Sequence, residues 1–114
     1  MSKGDPTVRL RHMRDYARKA LEMTSGRERE DLDKDEMLRL ALTHLVELVG
    51  EAATRVPADQ RETCPRIPWA KVVGMRHRLI HGYDLVDYDI LWDTIRHDLP
   101  GLIAELDLAL GPDD

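Results

Sequence analysis

Apolar side chains recur every three or four residues over four stretches of the chain, and no stretch sustains a period-two alternation, so the pattern predicts an all-α protein. In the first stretch Asp5-Pro6 supplies a cap and a first-turn proline, and Leu10, Met13, Ala17, Ala20, Leu21 and Thr24 share one face. The opposite side, with Arg9, Arg11, Arg14 and Arg18, is expected to be solvated. Gly26 and the charges around it make Ser25 to Asp31 a connecting loop, after which Asp33 and Glu36 have capping-box spacing. A second helix is expected from about Asp35 to Arg55, burying Leu38, Ala41, Leu42, Leu45, Val49, Ala52, Ala53 and Val56. Leu40, Val46 and Leu48 give it a second apolar flank, and a partner subunit is one candidate to cover it. Pro57, Pro65 and Pro68 make residues 57 to 68 a loop with at most a short turn of helix. The third helix begins near Pro68-Trp69, turns Val72, Met75 and Leu79 inward, and is expected to stop close to Gly82. The fourth begins near Asp87 or Asp89 and buries Leu91, Ile95, Leu99, Leu102, Leu106 and Leu110, with a kink at Pro100-Gly101. Short connections then favour an up-and-down four-helix bundle.

The 114 residues leave room for a single domain, 1–114. Apolar and charged shares of 42% and 34% exclude a low-complexity or wholly disordered chain. No apolar run exceeds three residues, as in Leu40-Ala41-Leu42, so no membrane span is expected. The N-terminal residues carry no apolar stretch of secretory type, and Cys64 is alone, which together predict a cytoplasmic protein without disulfides. The net charge of −5 hides an asymmetry: Asp84 to Asp114 hold nine acidic residues against Arg96, whereas the chain before Asp84 holds all the other Lys and Arg and a slight excess of positive charge. Overall acidity argues against a general nucleic-acid coating protein but leaves room for a local basic site.

Such a site is offered by Gly74-Met75-Arg76-His77-Arg78-Leu79-Ile80-His81-Gly82-Tyr83-Asp84. Imidazole exchanges protons near neutral pH, and guanidinium grips phosphate while staying charged, so the set suits phosphodiester cleavage without a metal or other cofactor. Geometry restricts which groups cooperate. On an uninterrupted helix Arg76 and His81 stand about 140° apart, while His77 and Arg78 lie about 40° and 60° from His81. Arg76 and His81 can face one phosphate only if the helix ends before His81 or if two subunits contribute. Plainer readings stand beside this one. Arg and His at a helix C-terminus complement its dipole. His77 and His81 have metal-ligand spacing, but no HExxH glutamate or cysteine cluster accompanies them, so no metal site is assigned. Trp69 and Trp92 read as core or interface aromatics, and His44, among Leu42, Leu45 and Val46, as a structural histidine.

The order Val49-Gly50-Glu51-Ala52-Ala53, Ile67-Pro68-Trp69, Gly74 through Tyr83, Val86-Asp87 and Leu99-Pro100 resembles the HepT-like toxins of the HEPN superfamily over nearly the whole chain. Their signature of Arg, four residues, His, one residue, Tyr is filled by Arg76, His81 and Tyr83. His77 stands where these toxins more often have asparagine. The resemblance implies a helical homodimer whose two signature segments form a metal-independent endoribonuclease, with Arg76 and His81 catalytic and His77 and Arg78 in support. It also implies a toxin paired with a minimal nucleotidyltransferase antitoxin that attaches AMP to Tyr83. A reading from another class is a non-catalytic nucleotide-binding or docking partner of that nucleotidyltransferase, in which the same Arg and His only hold a phosphate.

Overall fold

A computed structural model describes residues 5–80 and 85–111. The chain is all-α: α1 (Val8–Met23), α2 (Asp31–Lys34), α3 (Glu36–Thr54), α4 (Ala58–Glu62), α5 (Trp69–Val73), α6 (Met75–Leu79), α7 (Tyr88–Asp93), a π-helical turn (Thr94–Asp98) and α8 (Leu99–Leu110). The long α1 lies against both α3 and α8, α5 and α6 pack on α3, and α7 touches α3 and α6. Their apolar faces meet in one core containing Met13, Leu42, Val49, Val72, Leu79, Leu91, Ile95 and Leu106. No described helix is long and apolar enough to cross a membrane.

Several local expectations are corrected. The cap of α3 is Asp35, whose carboxylate accepts the Leu38 N–H at 3.0 Å, while Asp33 lies in α2. Asp31–Lys34 forms that short helix because the Glu28 N–H donates to the Asp31 side chain and the next N–H groups find carbonyls three residues back. A cap at Asp35 satisfies one of the orphan donors of a new helix start, which the box at Asp33 would leave one turn too early. The basic side of α1 is not wholly solvated. Arg14 is buried at 3% exposure, donating to Asp107 and to the Gly111 carbonyl, and Arg18 donates to the same Asp107 at 2.8 Å, which ties α1 to α8. Val46 belongs to the core and Leu48 is half-buried, so the outward apolar flank of α3 is Met37 and Leu40. His44 is exposed on that outer side and is not a packed structural residue.

The fourth predicted helix runs through Pro100, which sits in the first turn of α8, and the irregularity lies just before it. Proline lacks an N–H and its ring crowds the carbonyl four residues back. The π turn widens the helix there, the Leu99 N–H reaching back five residues to the Thr94 carbonyl. It also serves the core. Leu91, Ile95 and Leu99 follow each other at steps of four, which would swing an α-helical stripe by about 80°. The wider turn keeps all three fully buried.

Candidate active site

The segment from Trp69 to Leu79 forms two five-residue helices, α5 and α6, separated at Gly74, where the apolar spacing predicts a single helix. A Cβ at Gly74 would lie 3.1 Å from the Ala70 carbonyl oxygen, so the chain turns there with a residue that has none. Val72, Met75 and Leu79 are buried, which leaves Arg76, His77 and Arg78 exposed. α6 ends at Leu79, earlier than the expected stop at Gly82. Ile80 is already extended (φ −99°, ψ 122°) and pairs with Val86 in an antiparallel bridge, and the Asp87 N–H donates to the Leu79 carbonyl at 2.7 Å. Asp87 then caps α7, accepting from the N–H groups of Asp89 and Ile90. His81, Gly82 and Tyr83 fall between these two anchored flanks in sequence and lie outside the described residues.

The two arginines of α6 diverge around the helix. Arg76, 62% exposed, donates from Nε to Glu47 Oε2 of α3 at 3.3 Å. Arg78 points to the other side, its Nη1 standing 3.4 Å from Asp98 Oδ2 in the π turn. Asp98 also takes Lys71 Nζ on Oδ1 at 3.1 Å, so one carboxylate binds both α5 and α6. His77 lies exposed between the two arginines in sequence. α6 therefore ends before His81, with the break at Ile80.

Glu47 and Asp98 escape a reading of the sequence, because their partners lie 29 and 20 residues away and nothing in the local spacing marks them. Trp69 is half-buried, donating its indole N–H to the Cys64 carbonyl at 3.1 Å beneath the Arg61 guanidinium. Both contacts hold the ring in place as a packing residue, which also positions the start of α5.

The profile of the ribonuclease HepT-like family matches residues 13–108, which include α3, α5, α6 and the segment bearing Arg76, His81 and Tyr83. The chain belongs to that family. Among its relatives is a protein of Methanocaldococcus jannaschii named as a candidate RNase, MJ1380, 32% identical over 109 residues, covering 96% of this chain and all of that one. Another, from Caldanaerobacter subterraneus and also named as a candidate RNase, is 36% identical over 97 residues, covering 85% of this chain and 87% of the relative. A Thermococcus cleftensis protein named as a HepT ribonuclease by assignment is 38% identical over 73 residues, or 64% of this chain and 66% of that one. No solved structure matches. For a HepT-like ribonuclease, Gly50 has a visible purpose: a Cβ there would stand 3.2 Å from the Val72 carbonyl oxygen, so its absence lets α5 approach α3.

Proposed function

We propose that this HepT-like ribonuclease cleaves RNA internally and without a metal ion, using Arg76 and His81. The observation that carries the reading is the end of α6 at Leu79, so the separation of about 140° between positions 76 and 81 on an uninterrupted helix does not apply. His81 takes the proton of a ribose 2′-hydroxyl or, in its protonated form, gives one to the leaving 5′-oxygen; the 2′-oxygen bonds to phosphorus as the bond to the 5′-oxygen breaks, and water takes or supplies the other proton. A 2′,3′-cyclic phosphate and a free 5′-hydroxyl result. Arg76 stabilises the negative charge that grows on the phosphorane. Its ion pair with Glu47 is exposed enough to exchange for a phosphate oxygen, and it holds the guanidinium on the α3 side of α6 until substrate arrives. His77 and Arg78 support binding from the same helix.

The protein acts in the cytosol as a homodimer and as the toxin of a pair, silenced when a minimal nucleotidyltransferase places AMP on Tyr83. A nucleotide there adds bulk and negative charge beside the arginines and competes with RNA for them. Cleavage of total RNA in excess EDTA by the wild type and His81→Ala tests the chemistry. Loss of the acid/base group is expected to slow cleavage by roughly 10²- to 10⁴-fold. Equal cleavage by both proteins, or cleavage that requires added metal, refutes the mechanism.

A further inference from the structure

Beside α6, on the side away from Glu47, a groove of about 300 Å³ runs between α5 and α8. Its bottom is fixed, because Val72, Met75 and Leu102 are buried core residues with almost no exposed surface, and exposed Pro68 is the apolar group on its wall. Its rim carries Arg66, Lys71 and Glu105. Asp98, which lines it, holds Arg78 of α6, so the groove borders the helix that carries Arg76, on the face opposite the Arg76–Glu47 pair. From Thr63 to Ile80 the chain has no acidic residue and four Lys or Arg, within a protein whose net charge is −5. The cations differ in availability. Lys71 and Arg78 share Asp98, whereas the Arg66 side chain makes no ion pair or hydrogen bond among the described residues.

We propose that this groove receives a base of single-stranded RNA lying outside the cleaved step, packed on the Pro68 ring, with its phosphate on Arg66. The proposal rests on the reading of the chain as a ribonuclease. The volume is at the small end of ligand sites and suits one base. An exposed apolar ring accepts the π-face of any base, and unpaired bases are what proteins read most readily in RNA. Asp98 is already held by Lys71 and Arg78, and a carboxylate accepts hydrogen bonds from the amino edge of a base. A phosphate is left to Arg66, whose side chain has no partner among the described residues.

Gly101 makes the groove testable, since it lines the wall and a Cβ built there meets nothing within 4 Å. Gly101→Met fills the space from a helical position, and Gly101→Ala controls for the change of backbone residue. Binding of a fluorescein-labelled 12-nucleotide RNA is followed by anisotropy in a His81→Ala background, so that the probe stays intact. Gly101→Met and Arg66→Ala are each expected to weaken binding roughly five- to tenfold, within the range of one lost stack. Arg66→Ala should also lower the slope of log K against log salt by about 0.7, the signature of one lost phosphate contact on a single strand. Unchanged affinity in both variants overturns the groove even if the wild type cuts RNA. RNA bound with these losses but never cut by the wild type upholds the groove and refutes the cleavage mechanism alone. A shift of Gly101→Met from dimer to monomer in sedimentation makes the groove an interface between copies and overturns the proposal.

Discussion

Replacing Gly50 with alanine sets two effects of known size against each other. Gly50 is buried within α3. Exchange of glycine for alanine inside a helix favours the helix by about 1 kcal/mol. The new Cβ would lie 3.2 Å from the Val72 carbonyl oxygen and 3.6 Å from that of Val73. The first distance is shorter than an ordinary carbon–oxygen contact, and the obstacle is backbone with no rotamer to change. Relief requires α5 to move outward by a few tenths of an ångström, and overpacking of this kind costs about 1–3 kcal/mol. The balance is a net loss of about 1 kcal/mol, or about 4 °C in Tm for a chain of this size. Gly50→Val adds two further carbons against the same backbone and should lose about 3 kcal/mol or more. Thermal and urea unfolding followed by circular dichroism measure both. Because α5 leads directly through Gly74 into α6, RNA cleavage by Gly50→Ala should fall more than its stability does. A Gly50→Ala protein that is stabilised by the full helix-propensity gain and cuts RNA normally would refute the close-packing argument.

Asp107 is the carboxylate shared by buried Arg14 and half-exposed Arg18. Asp107→Ala should cost about 2 kcal/mol in urea unfolding, between the values of a buried and a surface pair; a loss too small to measure would mean that this tie between α1 and α8 is not stabilising. The Leu38 N–H, and then Arg27, hold the Asp35 carboxyl below its usual range. The folded state therefore releases that proton more readily than the unfolded one, so the stabilisation is complete above about pH 4 and fades as pH falls through the lowered value. The Tm gap between wild type and Asp35→Ala should be constant near neutrality and close in acid; a gap that widens in acid contradicts it. Leu40, 60% exposed beside Met37 on α3, is expected in the dimer contact, so sedimentation should show a wild-type dimer and a Leu40→Glu monomer; a wild-type monomer that cleaves RNA refutes this. Tyr83→Phe should keep much of the cleavage and escape silencing by a co-expressed cognate nucleotidyltransferase, with intact mass showing AMP on the wild type alone. AMP on another residue would overturn that switch.

The parts of the fold legible in the sequence are those where one face of a helix meets the core. Leu10, Met13, Ala17 and Ala20 on α1, and Leu91, Ile95, Leu99, Leu102 and Leu106 on the last helical run, are buried as their spacing demands. Helix ends are harder to read, because Asp33 and Asp35 both have cap chemistry and only the tertiary position of α2 decides between them. The break at Gly74 and the early end at Leu79 depend on contacts with Ala70 and Val86 that hydrophobic period does not encode. The signature supplies Arg76, the segment around it supplies His77 and Arg78, and α6 carries all three at the surface. Their counter-ions Glu47 and Asp98 become visible only in three dimensions. Arg14 misleads for a related reason: a charged residue beside an apolar stripe reads as solvated unless its distant carboxylate is known.

The π turn between Thr94 and Asp98 has a consequence for how relatives of this chain can differ in length. A helix with one wide turn holds one residue more than an α-helix needs between the same two core positions. Removing exposed His97 would therefore restore ordinary bonding, while Leu91 and Ile95 before it and Leu102 and Leu106 after it keep their faces. Narrowing the turn would also bring the Pro100 ring back against the carbonyl four residues earlier. Loss of the residue and loss of the proline are thus coupled changes, each unfavourable without the other. Shorter relatives that keep this core should have another residue in place of Pro100, and longer ones should keep the proline.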